Sequence, residues 1–143
     1  MLNMDFVSDL GAGLAAFGRH EEALALVMNA LDAQKRGGKL LFVPALLRVK
    51  GLILASRSAK DYPEAERSLM SSIEWARRQS ANLFELKSAI DLAELLMSQK
   101  RMPEAYRHIS AALDQTPDEI VSPVHDRARQ ILSRFQSVTK AAG

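Results

Sequence analysis

Three short stretches in a fixed register constrain this chain most: Gly18-Arg19-His20-Glu21-Glu22-Ala23, Lys60-Asp61-Tyr62-Pro63-Glu64-Ala65 and Lys100-Arg101-Met102-Pro103-Glu104-Ala105, recurring at intervals of 42 and then 40 residues. Each reads as a helix breaker followed by a helix start, with Glu21-Glu22, Glu64 and Glu104 placed where a first turn stabilises negative charge. Seven positions beyond each alanine stands a small residue, Ala30, Ser72 or Ala112, and a large one follows, Leu31, Ile73 or Leu113. Ahead of each breaker lies another segment of helical period: Leu10, Gly11 and Leu14, then Leu47, Lys50, Gly51 and Leu54, then Leu92, Ala93 and Leu96. Each unit is therefore helix, turn, helix. Two antiparallel helices cannot bury both apolar stripes alone, so neighbouring pairs must stack, with small residues where backbones approach.

The spacing predicts helices near 3–17, 20–36, 43–57, 63–79, 83–99 and 103–114. A terminal helix follows near 123–138, with Val124, Ala128, Ile131, Leu132 and Phe135 as its stripe. No segment of β period competes. One all-α domain over 1–143 is expected, with units at about 3–37, 43–80 and 82–115 and a cap at about 122–138 that closes the open end. Gly11, Ala23, Gly51, Ala65, Ala93 and Ala105 are the expected close-packing positions. Pro63 and Pro103 lie just inside their helices, where a missing N–H costs nothing. Gly37-Gly38 ends the first unit, Asn82 opens the third, and Thr116-Pro117-Asp118 closes it.

Composition narrows the function. At 143 residues, 48% hydrophobic and 25% charged, the chain is long and apolar enough for a real core. With no cysteine, disulfides, thiolate chemistry and cysteine-ligated zinc are all removed. The longest apolar run, Leu40 to Leu47, is short and broken by Pro44, which rules out a membrane span, and no membrane partner is expected. Asp5 and Asp9 stand where a secretion signal needs basic and apolar residues, so a cytoplasmic location is expected. The net charge is only +2, and the basic pairs Arg77-Arg78 and Lys100-Arg101 read as solvated helix faces.

Small-residue, alanine and aromatic positions at this spacing resemble tetratricopeptide repeats, although the units exceed the usual ~34 residues of that repeat. More specifically, Leu47-Arg48-Val49-Lys50-Gly51, Ala65-Glu66-Arg67-Ser68-Leu69, Ala76-Arg77-Arg78-Gln79, Glu85-Leu86-Lys87-Ser88-Ala89 and Leu92-Ala93 resemble a known long-repeat region. It is the carboxy-terminal repeat region of bacterial adenylate/guanylate cyclases that carry an ATPase module, and of related transcriptional regulators. The likeness covers roughly residues 45 to 135. The sequence departs from that family at Leu113-Asp114-Gln115-Thr116-Pro117-Asp118, where an aromatic-rich segment is common. The resemblance implies an α-α superhelix acting as a non-catalytic interaction and coupling scaffold, the repeat portion of a larger signalling protein whose catalytic or DNA-binding chemistry sits elsewhere. It also implies that the first helix of each pair lines a concave groove, at Asp5 and Ser8, Arg48 and Leu52, and Lys87, Ile90, Glu94 and Met97. A protein, a peptide or another domain of the same chain is the implied partner.

Gly11-Ala12-Gly13-Leu14-Ala15-Ala16 matches a dinucleotide fingerprint, but helical spacing precedes it where a strand is required, so the glycines read as mid-helix contacts. Glu104 and His108, one turn apart, are two ligands and do not make a metal site; no metal and no cofactor are expected. His20 and His125 have no nucleophile or base partner in the pattern and read as solvent-facing. Trp75, between Ile73 and Ala76, is expected to be partly buried. Arg127, Arg129, Arg134 and Lys140 make a basic last helix without interleaved aromatics, so nucleic acid is not expected as a partner. The alternatives left standing are a nucleic-acid-associated regulator and an enzyme with a pocket of convergent titratable groups. Finally, Leu2, Phe6 and Val7, with Leu10 and Leu14, exceed what one partner helix covers, and a homodimer through the first helix is expected.

Overall fold

The computed structural model describes residues 9, 11, 13–116 and 122–142, with side chains through residue 137. Helical backbone at residues 9, 11 and 13–16 leads into α1 (His20–Arg36), α2 (Val43–Arg57), a short 3-10 turn (Ala59–Asp61), α3 (Tyr62–Arg78), α4 (Asn82–Ser98), α5 (Met102–Asp114) and α6 (Pro123–Ala142). Among the described residues no strand occurs. Two helices coincide with the sequence expectation, three begin one residue earlier, and the last runs to residue 142 instead of 138. The expected helix over 3–17 lies largely outside the described residues, as do Leu2, Asp5, Phe6, Val7, Ser8 and Leu10.

Proline begins more helices than expected. Pro44 joins Pro63 and Pro103 in a first turn, and Pro123 opens α6 directly after Ser122, whose Oγ accepts from His125 N at 3.3 Å as an N-cap. Helix ends share one device. Arg19 N donates to Leu14 O, Lys39 N to Gln34 O, Ala81 N to Ala76 O and Arg101 N to Leu96 O, all at 2.8–3.1 Å. Each such six-residue closure follows a left-handed residue: Gly18, Gly38, Ser80 and Lys100, with φ of 78°, 68°, 55° and 61°. The link from α2 to α3 differs, because Ser58 is extended and its hydroxyl accepts from Lys60 N before the 3-10 turn.

Ser80 and Lys100 hold a conformation that a Cβ disfavours by about 1–2 kcal/mol. Ser80→Gly and Lys100→Gly are each expected to raise the urea midpoint, by about 0.5–1 kcal/mol in stability, with an unchanged m-value. A lowered midpoint in both variants would mean that these side chains hold the turns.

Each helix packs on its neighbour in sequence, and in addition α2 meets α4 and α4 meets α6. The amphipathic α3 and α5 bury one stripe each, whereas α2 and α4 bury residues on more than one side and form the interior, keeping a charged face with Arg48, Lys87 and Asp91. One core cluster gathers Leu54, Leu69, Leu86, Leu92, Leu96, Ile109 and Ile131. A second joins Val27, Leu31, Val43, Leu46 and Ile53, and Trp75 packs on it half-buried. Ala23, Ala65, Ala93 and Ala105 are buried. A Cβ on Gly51 would come within 2.7 Å of Leu69 Cγ and 3.2 Å of Ala65 O. One on Gly11 would meet Val27 Cγ2 at 2.9 Å. Where Ser72 stands in place of an alanine, its buried hydroxyl donates to Pro44 O and pairs with Ser88 Oγ, both at 2.7 Å, so the polar group has partners.

Candidate functional site

The side on which α2, α4 and α6 adjoin carries a recess of about 340 Å³, lined by Arg48, Lys87, Ile90, Asp91, Val124 and Arg127 among others. Residues 48, 87 and 91 reach it because four-residue spacing puts Lys87 and Asp91 on one face of α4, opposite Arg48 on α2. Arg48 Nε donates to the Asp91 carboxylate, tying α2 to α4. Arg127 donates to Glu94 at 2.8 Å, tying α6 to α4. Lys87 lies 5.5 Å from the Phe84 ring centroid and has no carboxylate partner among the described residues. Three cations thus face one partly buried acid and one rim acid across an apolar floor of Ile90 and Val124.

Burial pushes the Asp91 carboxyl above the ordinary aspartate range, and the Arg48 bond offsets this only in part. Folding therefore tightens proton binding at Asp91. Its contribution to stability is fully present below the ordinary aspartate pKa and is lost as pH rises through the raised one. A carboxyl carbon NMR titration should place Asp91 above an exposed aspartate, and further up in Arg48→Ala. A value at or below the ordinary one in the native chain would contradict this environment.

Of the residues assigned to the groove, Arg48, Lys87 and Ile90 come together here, although Ile90 is nearly buried. Glu94 sits at the rim, engaged by Arg127. Leu52 lies apart, in a smaller recess of about 230 Å³ with Ala15, Ala16 and Ser56. Met97 packs against the core, and Asp5 and Ser8 fall outside the described residues. Sequence reasoning missed Asp91 and Val124. A lone acid in the run Ala89-Ile90-Asp91-Leu92-Ala93 was the available signal, since such a carboxylate needs a cation.

A second recess, of about 490 Å³, lies between α3 and α5, lined by Arg67, Met70, Ser71, Glu74, Arg77 and His108 among others. Burial, and then Arg107, hold His108 below the ordinary imidazole range. Arg77 also reaches Glu85, a carboxylate 1% exposed, at 2.9 Å. Arg77 is thus more than part of a solvated basic pair: it neutralises a buried acid. His125 corrects the expectation of a solvent-facing ring. It is 2% exposed, with Nδ1 2.6 Å from Ser122 Oγ and Nε2 without a partner among the described residues. The stripe position of Ala128, Ile131 and Leu132 turns this part of α6 inward.

At the opposite ends of the helices, Arg57 bridges Glu21 and Asp61, and Arg101 bridges Glu66 and Glu104. These bonds hold Asp61 and Glu104 below the ordinary carboxylate range. Among the described residues no group of three or more His, Cys, Asp or Glu is arranged to hold a metal ion. Nor is any helix there long and apolar enough to cross a membrane. Compared with known proteins, the chain matches no family model, no curated protein and no solved structure at a significant level.

Proposed function

We propose that this chain is a tetratricopeptide-like helical-repeat scaffold, non-catalytic in itself, that binds an acidic peptide or an acidic segment of an adjoining domain. The observation that carries the reading is the cationic recess on the shared side of α2, α4 and α6, the first helix of two units and the following cap. Lys87 lacks a carboxylate partner, and Arg127 is held only by a half-exposed one, so both can exchange water or Glu94 for a ligand carboxylate at small cost. Arg48 is committed to Asp91 and positions the wall. The repeat register and the contacts of α2 with α4 and of α4 with α6 support a superhelical stack of pairs. Within this reading the chain is the coupling arm of a larger bacterial signalling protein such as a nucleotide cyclase, and a homodimer through Leu2, Phe6 and Val7 remains part of it.

Selection from a displayed random-peptide library tests the proposal. The native chain should enrich acidic peptides, and Lys87→Glu with Arg127→Glu should abolish that enrichment while the helical circular dichroism stays the same. Unchanged enrichment in the double variant would remove the groove from the account.

A further inference from the structure

One end of the helix array carries exposed apolar side chains that the groove does not explain. There the α1–α2 link, residues 37–42, and the α3–α4 link, residues 79–81, are tied by Gln79 Nε2 donating to Leu40 O at 2.7 Å. Leu41 is 71% exposed, Leu40 36%, and Leu83, in the first turn of α4, 45%. Single exposed leucines are ordinary, but Leu40 and Leu41 on one link and Leu83 two residues past the link tied to it expose apolar surface at the same end of the array. The same end carries cations: Lys35 and Arg36 in the last turn of α1, Lys39 beyond it, and Arg77 and Arg78 in the last turn of α3. Arg77 and Arg78 answer Glu85 and Glu74. Lys35 and Lys39 have no carboxylate partner among the described residues, and Arg36 reaches only the Asp32 carbonyl. Last-turn cations suit a helix C-terminus in any protein. Lys39 lies past that end, beside the leucines.

Tips that carry leucine, with lysine and arginine around them, match the layered chemistry of a lipid interface. The apolar tips enter the boundary between headgroups and acyl chains, and the long basic side chains stay at the phosphates. We propose that this end of the molecule docks on an anionic lipid surface. The leucines stand at one end of the array, two on a connecting turn and one in a first helical turn, and a fluid surface accepts such tips without a matching socket. The docking is interfacial and needs no spanning helix, so it departs from the expectation of no membrane partner, which rested on the lack of a spanning run, and it does not use the groove.

Co-sedimentation of the full chain with vesicles tests it, using phosphatidylcholine alone and phosphatidylcholine with phosphatidylserine. Binding should require phosphatidylserine and weaken as salt is raised. Lys35→Ala with Lys39→Ala should weaken it about thirtyfold, and Leu41→Ser with Leu83→Ser about tenfold. Both changes are on the surface, so thermal unfolding should stay the same. Lys87→Glu with Arg127→Glu should bind vesicles as the native chain does, which separates this docking from the groove. The proposal is overturned if the native chain ignores phosphatidylserine vesicles, or if the lysine and leucine variants bind equally well. It is overturned equally if the groove variant abolishes binding, or if the chain ignores vesicles but is retained on polyglutamate, which would make this end a site for acidic protein.

Discussion

Leu96→Ala is expected to lower the unfolding free energy by about 3–5 kcal/mol. Leu96 is fully buried in the cluster that joins α2, α3, α4, α5 and α6, so truncation removes transfer energy and leaves a cavity that several helices would have to close together. Small domains are stable by only about 5–15 kcal/mol, so a substantial fraction of the variant should be unfolded well below the native melting temperature. Leu96→Met, which conserves volume, should cost less than about 1.5 kcal/mol. Urea unfolding of the pair checks both the burial and the shared nature of the core. Equal midpoints for the two variants would mean that Leu96 does not sit in a packed interior.

Gly51→Val should cost about 3 kcal/mol, the upper end of what overpacking produces. The contact that a side chain at Gly51 would make includes Ala65 O, a backbone atom that cannot move aside, as well as Leu69 Cγ. The helices α2 and α3 would have to separate. A Cβ on Gly11 meets side chains alone, Val27 Cγ2 at 2.9 Å and then Val49 and Ile53 at ordinary contact distance, with no backbone atom in the way, so Gly11→Ala should be the milder change. A loss of fixed packing in Gly51→Val should appear as broadened methyl signals from Leu69 with far-ultraviolet helicity retained. A native-like spectrum at native stability would contradict the close approach of these two helices.

The helices were legible because their signals are local: prolines in first turns, glycines at ends and an apolar period in between. The turns at Gly18, Gly38 and Lys100 were legible as breakers, but the left-handed conformation that the non-glycine residues Ser80 and Lys100 take was not, since only the tertiary setting enforces it. The 3-10 turn at Ala59–Asp61 was hidden for the same reason: Ser58 and Lys60 do not announce which of several turns they will make. The burial of Gly11, Gly51 and the alanines could be read from the register, since small residues at fixed spacing have little other use in a helix pair.

The candidate site was legible only in part. Arg48 and Lys87 could be placed on one side of their helices, but that α6 would fold back to add Val124 and Arg127 depends on contacts distant in sequence. His125 reads as solvent-facing because the pattern offers it no nucleophile or base partner. Its position instead follows the apolar stripe, and Ser122 satisfies one of its nitrogens. Asp91 and Glu85 look like ordinary charges in the sequence. Their importance comes from burial beside Arg48 and Arg77, which no local pattern states.

The most direct test of the proposed function is a backbone amide NMR titration with a short peptide in which glutamates flank a single leucine. The account predicts saturable shifts grouped at Arg48, Lys87, Ile90, Val124 and Arg127, lost in Lys87→Glu with Arg127→Glu. Shifts grouped instead at Arg67, Met70 and His108, or no saturable shift anywhere, would contradict it.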